Sequence, residues 1–284
     1  MTRVSAIVSC LNNDRTIKKC LRLLTQNEPD EVVVVDGGSS DETRRIVSEF
    51  ANVAVIDNVK GLANARNIGW QRSKGDLILF LDGDAYMTPH ALVSLLELLK
   101  TTEIAGVACR IVGANVDKLV PRLRDIDFKI QYSKSFRGSN ITDCVSDPAI
   151  CGLYYRKVLE EVNGFKSDFP FVEDMEFLER MRSKGYRVLT CYDPPILHNH
   201  RETVSDLFWQ LYRHGFGRGI MDATSPLASI YARREPLKLV QSAIITLSAV
   251  GPVSLLYPFY RMIAEIAYML GYLKGRRWRE SQDV

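Results

Sequence analysis

Val32-Val33-Val34-Val35-Asp36-Gly37-Gly38-Ser39-Ser40-Asp41-Glu42-Thr43 runs from four β-branched residues into an acid, two glycines and two serines, then into a polar stretch with helical character. The valine run reads as a strand buried on both faces. The glycines let backbone approach a partner closely, and Ser40 or Asp41 is placed to cap the helix that follows. Working outward, residues 4–9, 53–57, 76–81 and 104–111 repeat the strand pattern, and helical patterns at 14–26, 41–51, 61–73 and 88–100 separate them. The last of these helices is expected to open at Thr88-Pro89. Strict alternation predicts an α/β fold with a mostly parallel sheet flanked by helices. Ligands of such sheets gather outside the carboxyl ends of the strands, here near Cys10–Asp14, Asp36–Asp41, Asp57–Gly61 and Asp82–Asp84.

The 284 residues are 46% hydrophobic and 25% charged, which fits a folded globular chain and excludes disorder. The net charge of +3 arises entirely in residues 236–284, so nucleic acid is not an expected partner. Six cysteines show no C-x-x-C or zinc spacing and read as reduced, buried small residues. The first residues carry no secretory signal pattern, which points to the cytoplasm.

Past residue 114 the pattern loosens. Helices are expected at 118–135, 173–184 and 203–222, a strand at 150–155, and an extended run at 186–198. Leu239–Tyr260 is a 22-residue run without charge, and Met262–Leu273 contains only Glu265. Crossing a bilayer takes about 20 apolar residues. Pro258 and Arg261 are expected to break the two stretches apart, and Lys274, Arg276, Arg277 and Arg279 follow with Trp278 among them. The expectation is a C-terminal hydrophobic helical hairpin, crossing twice or embedded in one leaflet, that holds residues 236–279 at the cytoplasmic face of the cell membrane. The alternative is a pair of core or oligomer-contact helices in a soluble protein.

Several constellations carry chemistry. Leu77-Ile78-Leu79-Phe80-Leu81-Asp82-Gly83-Asp84 ends a buried strand in two carboxylates that can share Mg²⁺ or Mn²⁺, whose shell substrate phosphates complete. An acidic loop that only caps the next helix is the plainer alternative. Asp36 is placed like an acid that accepts hydrogen bonds from a nucleotide, with Ser39 beside it. Gly61-Leu62-Ala63-Asn64-Ala65-Arg66 opens a helix with small residues and sets Arg66 in its second turn, suited to a base or phosphates, although any well-packed helix can look like this. Glu173-Asp174 stands at a helix mouth, where a carboxylate can act as general base; Glu176 and Glu179 equally suit the helix dipole. His198 and His200, beside Arg201, are open to a metal or diphosphate role or to a structural one.

Taken in order, Val-Ser-Cys-Leu-Asn-Asn, Asp-Gly-Gly-Ser-Ser-Asp-Glu-Thr, Gly-Leu-Ala-Asn-Ala-Arg-Asn-Ile-Gly, Leu-Asp-Gly-Asp, Gly-Leu-Tyr-Tyr-Arg-Lys-Val-Leu-Glu-Glu-Val-Asn-Gly-Phe and Glu-Asp resemble the family 2 glycosyltransferases of GT-A, Rossmann-like fold over residues 3 to 220. The resemblance implies inverting transfer of a sugar from a nucleoside diphosphate sugar; a base at Asp174 favours an acceptor hydroxyl, and the apolar tail points to a lipid-linked or polysaccharide acceptor delivered at a membrane. The resemblance also implies a nucleotide-sugar-binding half at 1–114 and an acceptor and catalytic-base half at 115–222 of one GT-A domain, while residues 223–284 are read from their composition as C-terminal hydrophobic helices and a basic tail that associates with a membrane. Carried over, Asp36 and Arg66 contact the nucleoside with Ser9, Asn12, Ser39 and Gly61 lining the pocket. Asp82 and Asp84 form the metal motif, with Asp82 also facing the donor, Asp174 is the base, and His198 lies near the cation or diphosphate. Leu11 stands where the family often has Tyr, and Gly37 where it often has a second Asp. A competing resemblance reads Asp82 and Asp84 as the nucleophile and acid/base of a haloacid dehalogenase-like phosphatase. In such enzymes, however, the motif opens the domain, whereas here three strands precede it.

Overall fold

The apolar runs around Val32 form strands β1 (Val4–Cys10), β2 (Glu31–Asp36), β3 (Val53–Ile56) and β4 (Leu77–Asp82) in a computed structural model of the chain. The structure describes residues 2–50, 53–135, 140–144, 147–224 and 252–282. Between these strands lie α1 (Ile17–Thr25), α2 (Thr43–Val47) and α3 (Leu62–Arg72). Helix α1 buries Ile17, Cys20, Leu21 and Leu24, the stripe its sequence spacing predicts. Each such leucine or isoleucine contributes about 1.5–3 kcal/mol when fully buried. Helix α3 lies close to the sheet because Gly69 allows it: a Cβ there would sit 2.2 Å from the Ile7 methyl.

After β4 come β5 (Ala85–Met87), α4 (Ala91–Thr101), β6 (Gly106–Gly113), α5 (Leu119–Ser135), β7 (Ile141–Asp143), β8 (Cys151–Tyr155), α6 (Arg156–Val162), α7 (Glu173–Ser183), β9 (Val188–His198) and α8 (Val204–Thr224). A 3₁₀ turn at Pro252–Leu256 then leads into α9 (Tyr257–Glu280). Strands β5 and β7 and helix α6 are too short for a clear periodic signal. Helix α4 starts two residues later than Thr88-Pro89 suggests, because His90 takes a left-handed conformation and serves as its N-cap.

The sheet order is β3-β2-β1-β4-β8-β6-β9-β5, with β7 on β9. Strands β3, β2, β1 and β4 pair in parallel, as alternation requires. The rest corrects the expectation of a mostly parallel sheet. Strand β8 inserts antiparallel between β4 and β6, and β5 and β7 pair antiparallel with β9, so the sheet is mixed. Alternation constrains only neighbours in sequence; β8 reaches β4 across about seventy residues of chain and leaves no local periodic trace.

Two units are distinguishable. One comprises Met1–Val112, Ser135–Asp168 and Glu173–Asn199; the other comprises Gly113–Lys134, Phe169–Val172 and His200–Val284. In the first, Ile7, Val35, Ile78 and Phe80 meet Tyr154, Phe165 and Phe177, with Phe80 edge-on to Phe165 at 5.0 Å. In the second, Leu123, Ile126, Leu207 and Leu211 pack against Tyr257, Tyr260, Ala264 and Ala267. There the Asp127 carboxylate accepts from both tyrosine hydroxyls at 2.7 Å and pairs with Arg261 at 3.1 Å. Burial works against its charge, but Arg261 and Arg124 outweigh it and hold its pKa below the usual value.

The C-terminal hairpin expectation is corrected in its described part. Most of its first arm, residues 239–251, lies outside the described residues. Pro258 does not break a helix but occupies the first turn of α9, where the missing N–H costs nothing, and Arg261 lies inside the same helix. No helix among the described residues is long and apolar enough to cross a membrane. Glu265, Arg261 and the cations from Lys274 onward interrupt α9. Its inner face packs on α8 through four glycines. A Cβ at Gly215 or Gly219 would lie 2.0 or 2.2 Å from the carbonyl oxygens of Tyr268 or Tyr272, and one at Gly271 or Gly275 would lie 1.9 or 2.0 Å from those of Tyr212 or Phe216. The contacts advance by four residues on both helices together, so α8 and α9 run parallel.

Candidate active site

Parallel pairing sets the carboxyl ends of β1, β2 and β4 side by side, with Cys10 opposite Asp36 and Ser9 opposite Asp82. The β2 end organises its own loop. Asp36, 2% exposed, accepts from the Gly38 and Ser39 amides at 2.9 and 2.8 Å and from the Ser39 hydroxyl. Gly38 has φ +91°, a conformation that favours glycine, and a Cβ there would press on the Asn58 side chain at 2.9 Å. Asn12 fastens this loop to the end of β1: its amide donates to Ser39 Oγ at 2.8 Å, and its Oδ1 accepts from the Ser40 amide at 2.9 Å. Asp41 accepts from the Thr43 and Asp14 amides, but it stands one residue before Glu42, which is the N-cap of α2, so neither Ser40 nor Asp41 takes the capping position expected of it. The Val59 amide donates to the Asp36 carbonyl at 3.0 Å, which ties down the loop running to Gly61, the N-cap of α3. Asn12, Asp36 and Ser39 therefore form one hydrogen-bonded cluster, with Ser9 beside it near the end of β1 and Gly61 at the end of a tethered loop. Ser9 Oγ is buried there without a hydrogen-bond partner.

Arg66 connects the end of β4 to the start of α7. Its guanidinium, 2% exposed, donates through Nη1 to Glu173 Oε1 at 2.7 Å and through Nη2 to Asp82 Oδ1 at 3.0 Å. The Phe165 ring lies 5.3 Å from it, and its Nε is buried without a partner. Burial opposes the charge, but Asp82, Glu173 and Asp174 together hold it firmly. The structure thus places Arg66 between carboxylates. Asp82 is pushed up to about 6, chiefly by burial, with Arg66 pulling it down and Asp84 pushing it up.

Asp174 lies half-buried in the first turn of α7. Burial, then the adjacent Glu173, raise its pKa well above the carboxylate range, against the pull of Arg66. A carboxyl tuned in this direction is suited to receiving a proton near neutral pH. Glu176 is buried but bound to Arg180 at 2.7 Å, which gives it a structural role.

Asp84 reaches its partner through register. Antiparallel pairing of β5 with β9 sets Ala85 opposite His198, and His198 Nε2 lies 3.2 Å from Asp84 Oδ1. The Asn199 amide also donates to the Asp84 carbonyl at 3.0 Å. Burial disfavours a charged His198, but Asp84 and Asp82 outweigh it and raise its pKa. His200 instead stacks on Phe128 at 5.3 Å and donates its amide to Asn115, so of the two histidines His198 is the one beside Asp84. Among the described residues no group of three or more histidine, cysteine or acidic side chains is arranged to hold a metal by itself.

Sequence reasoning gave Glu173 no separate role, because nothing local marks it as the buried partner of an arginine 107 residues away. It also passed over Tyr86, whose hydroxyl accepts from Asn199 Nδ2 at 3.0 Å.

The glycosyl transferase family 2 model matches residues 5–162. Glycosyltransferase AglE of Haloferax volcanii is 30% identical over 232 residues, 76% of this chain and 72% of that protein. The dolichyl N-acetyl-alpha-D-glucosaminyl phosphate 3-beta-D-2,3-diacetamido-2,3-dideoxy-beta-D-glucuronosyltransferase of Methanococcus voltae is 23% identical over 78% of this chain and 74% of that protein. Among solved structures, mannosyltransferase PcManGT from Pyrobaculum calidifontis, in complex with GDP-Man and Mn²⁺, superposes with a TM-score of 0.65 at 21% identity, over 98% of this chain and 87% of that one. S. aureus TarS 1-349 in complex with UDP-GlcNAc gives 0.58 at 17% identity, over 99% and 91%. These two establish the shared GT-A fold. The chain belongs to glycosyl transferase family 2.

Proposed function

We propose that this glycosyltransferase moves a sugar from a nucleoside diphosphate sugar to the hydroxyl of a lipid-linked glycan, with inversion at the anomeric carbon. The observation that carries the reading is the Arg66 bridge, which draws the turn bearing Asp174 to the strand end bearing Asp82. The buried, unpartnered Ser9 Oγ and Arg66 Nε suit a polar ligand at the carboxyl ends of β1 and β4. Asp174 accepts the acceptor's hydroxyl proton as that oxygen forms its bond to the anomeric carbon. The bond from that carbon to the nucleoside diphosphate breaks in the same displacement, and a single displacement inverts the centre.

Asp84 Oδ1 and His198 Nε2, already adjacent, fit Mn²⁺ or Mg²⁺, with Asp82 as a further carboxylate near the pair and diphosphate oxygens and water completing the shell. A cation bound there would stabilise the negative charge that grows on the leaving diphosphate. Asp36, Asn12 and Ser39 hold the loops that frame the nucleoside. GDP-Man with Mn²⁺ in the PcManGT complex and UDP-GlcNAc in the TarS complex support the donor class, and the dolichyl phosphate in the name of the Methanococcus voltae relative supports the lipid-linked acceptor.

Thermal unfolding with UDP-, GDP- and ADP-sugars, with and without Mn²⁺, tests the proposal. A donor at one hundred times its Kd should stabilise the fold by about 2.7 kcal/mol. The shift should require the cation and disappear in Asp84→Ala. Undiminished transfer in a chelator would remove the cation from the scheme, and no shift with any sugar nucleotide would remove the donor class.

A further inference from the structure

The face of α9 turned away from α8 is apolar over four turns. Phe259, Met262, Ile266, Met269, Leu270 and Leu273 are between 47% and 65% exposed, while Ala264, Ala267, Gly271 and Gly275 on the opposite face are buried. Steps of three and four residues keep the six on one side of the helix. None of them carries charge, and immediately past the stripe come Lys274, Arg276, Arg277 and Arg279. Lone exposed apolar residues are ordinary on protein surfaces, but a continuous stripe of this kind marks an interaction surface.

We infer that α9 is an interfacial docking helix that lies in the plane of an anionic lipid surface, with the stripe in the acyl boundary and the basic end among the headgroups. Three observations select lipid as the occupant. The inner face of α9 is committed to α8 at backbone contact distance, and no described helix is long and apolar enough to span, so the helix lies on a bilayer. The cations at its end have few acids nearby on the helix, Glu280 being the only one past Glu265, which suits negatively charged headgroups. A second copy offers no such complement. Paired in parallel, the stripes would bring Arg276 and Arg277 against their own counterparts. Paired antiparallel, they would set those arginines against Leu255, Leu256 and Phe259, where there is no acid. The inference stands on α9 alone and is independent of the donor chemistry.

Vesicle flotation of the full chain tests it, with phosphatidylcholine vesicles compared to vesicles containing phosphatidylserine. Binding to the anionic vesicles is expected to be stronger by about tenfold or more and to weaken with salt. Ile266→Asp with Met269→Asp should abolish it, and Arg276→Glu with Arg277→Glu should remove the preference for anionic lipid. Both pairs are solvent-exposed, so circular dichroism and the melting temperature should match the parent. All six native cysteines are buried, so an environment-sensitive dye on Ile266→Cys labels one site, and its fluorescence should rise on adding the anionic vesicles. Unchanged flotation of the Ile266→Asp/Met269→Asp variant would overturn the inference. So would a dye that stays in water, or light scattering showing a dimer that this variant splits and that does not float.

Discussion

The guanidinium of Arg66 lies between Asp82 and Glu173, and without it both carboxylates would remain close together with no cation between them. Arg66→Met should therefore destabilise the protein by about 3–5 kcal/mol, measured by denaturant unfolding, since removing one partner strands buried charge. Arg66→Lys should recover only part, because an ammonium lacks the planar fork that meets two acids at once. Asp174 makes a kinetic prediction. Asp174→Asn should cut transfer by about 10²-fold or more while donor binding survives. Because its pKa is raised, the carboxyl is protonated at low pH and gains base strength only as pH rises through that raised value. The acid limb of the rate profile should thus lie above the ordinary carboxylate value of about 4, and the variant should lose it. A limb at the ordinary value would assign the base elsewhere. The phosphatase reading of Asp82 fails at this scale, since Arg66 occupies one of its oxygens and the family is that of glycosyl transfer.

At the scale of elements, two pairings make the site and two helices make the tail. The β5–β9 register brings His198 to Asp84. The loop between α6 and α7 holds α3 through Asn67, whose amide group both donates to and accepts from the Phe165 backbone at 2.7 and 2.9 Å. Gly164 must be glycine there, with φ +55° and a Cβ that would fall 2.3 Å from Asn67 Oδ1. The motifs around Asn67 and Gly164-Phe165 are therefore two sides of one contact. The α8–α9 seam is equally intolerant. Gly271→Val would press against the Tyr212 carbonyl, and overpacking of this kind costs about 1–3 kcal/mol. Thermal unfolding should register the loss, whereas Lys274→Ala on the exposed surface should leave the melting temperature unchanged. Equal melting for the two variants would contradict the close parallel packing.

Across the whole molecule all six cysteines are free and buried, as their lack of metal or disulfide spacing suggests. Burial raises the thiols of Cys10, Cys20 and Cys191, the last to about 12. A thiol-specific reagent should leave the native protein unmodified and label it only as fast as it unfolds; rapid labelling under native conditions would show that the core opens locally. The sequence by itself determined the strand–helix alternation, the acid-and-glycine motifs at the ends of β2 and β4, and the family, because these rest on local periodicity and on motifs whose parts sit within a few residues of one another, whereas bringing Asn12 to Ser39 took the pairing of β1 with β2. Only the tertiary structure decided the antiparallel insertion of β8, the choice of His198 over His200, the Arg66–Glu173 bridge and the single helix α9 where a hairpin arm was expected. Each depends on contacts between residues dozens of positions apart. Such contacts are set by strand register and by how closely two backbones can approach, and neither leaves a mark in the local pattern of the chain.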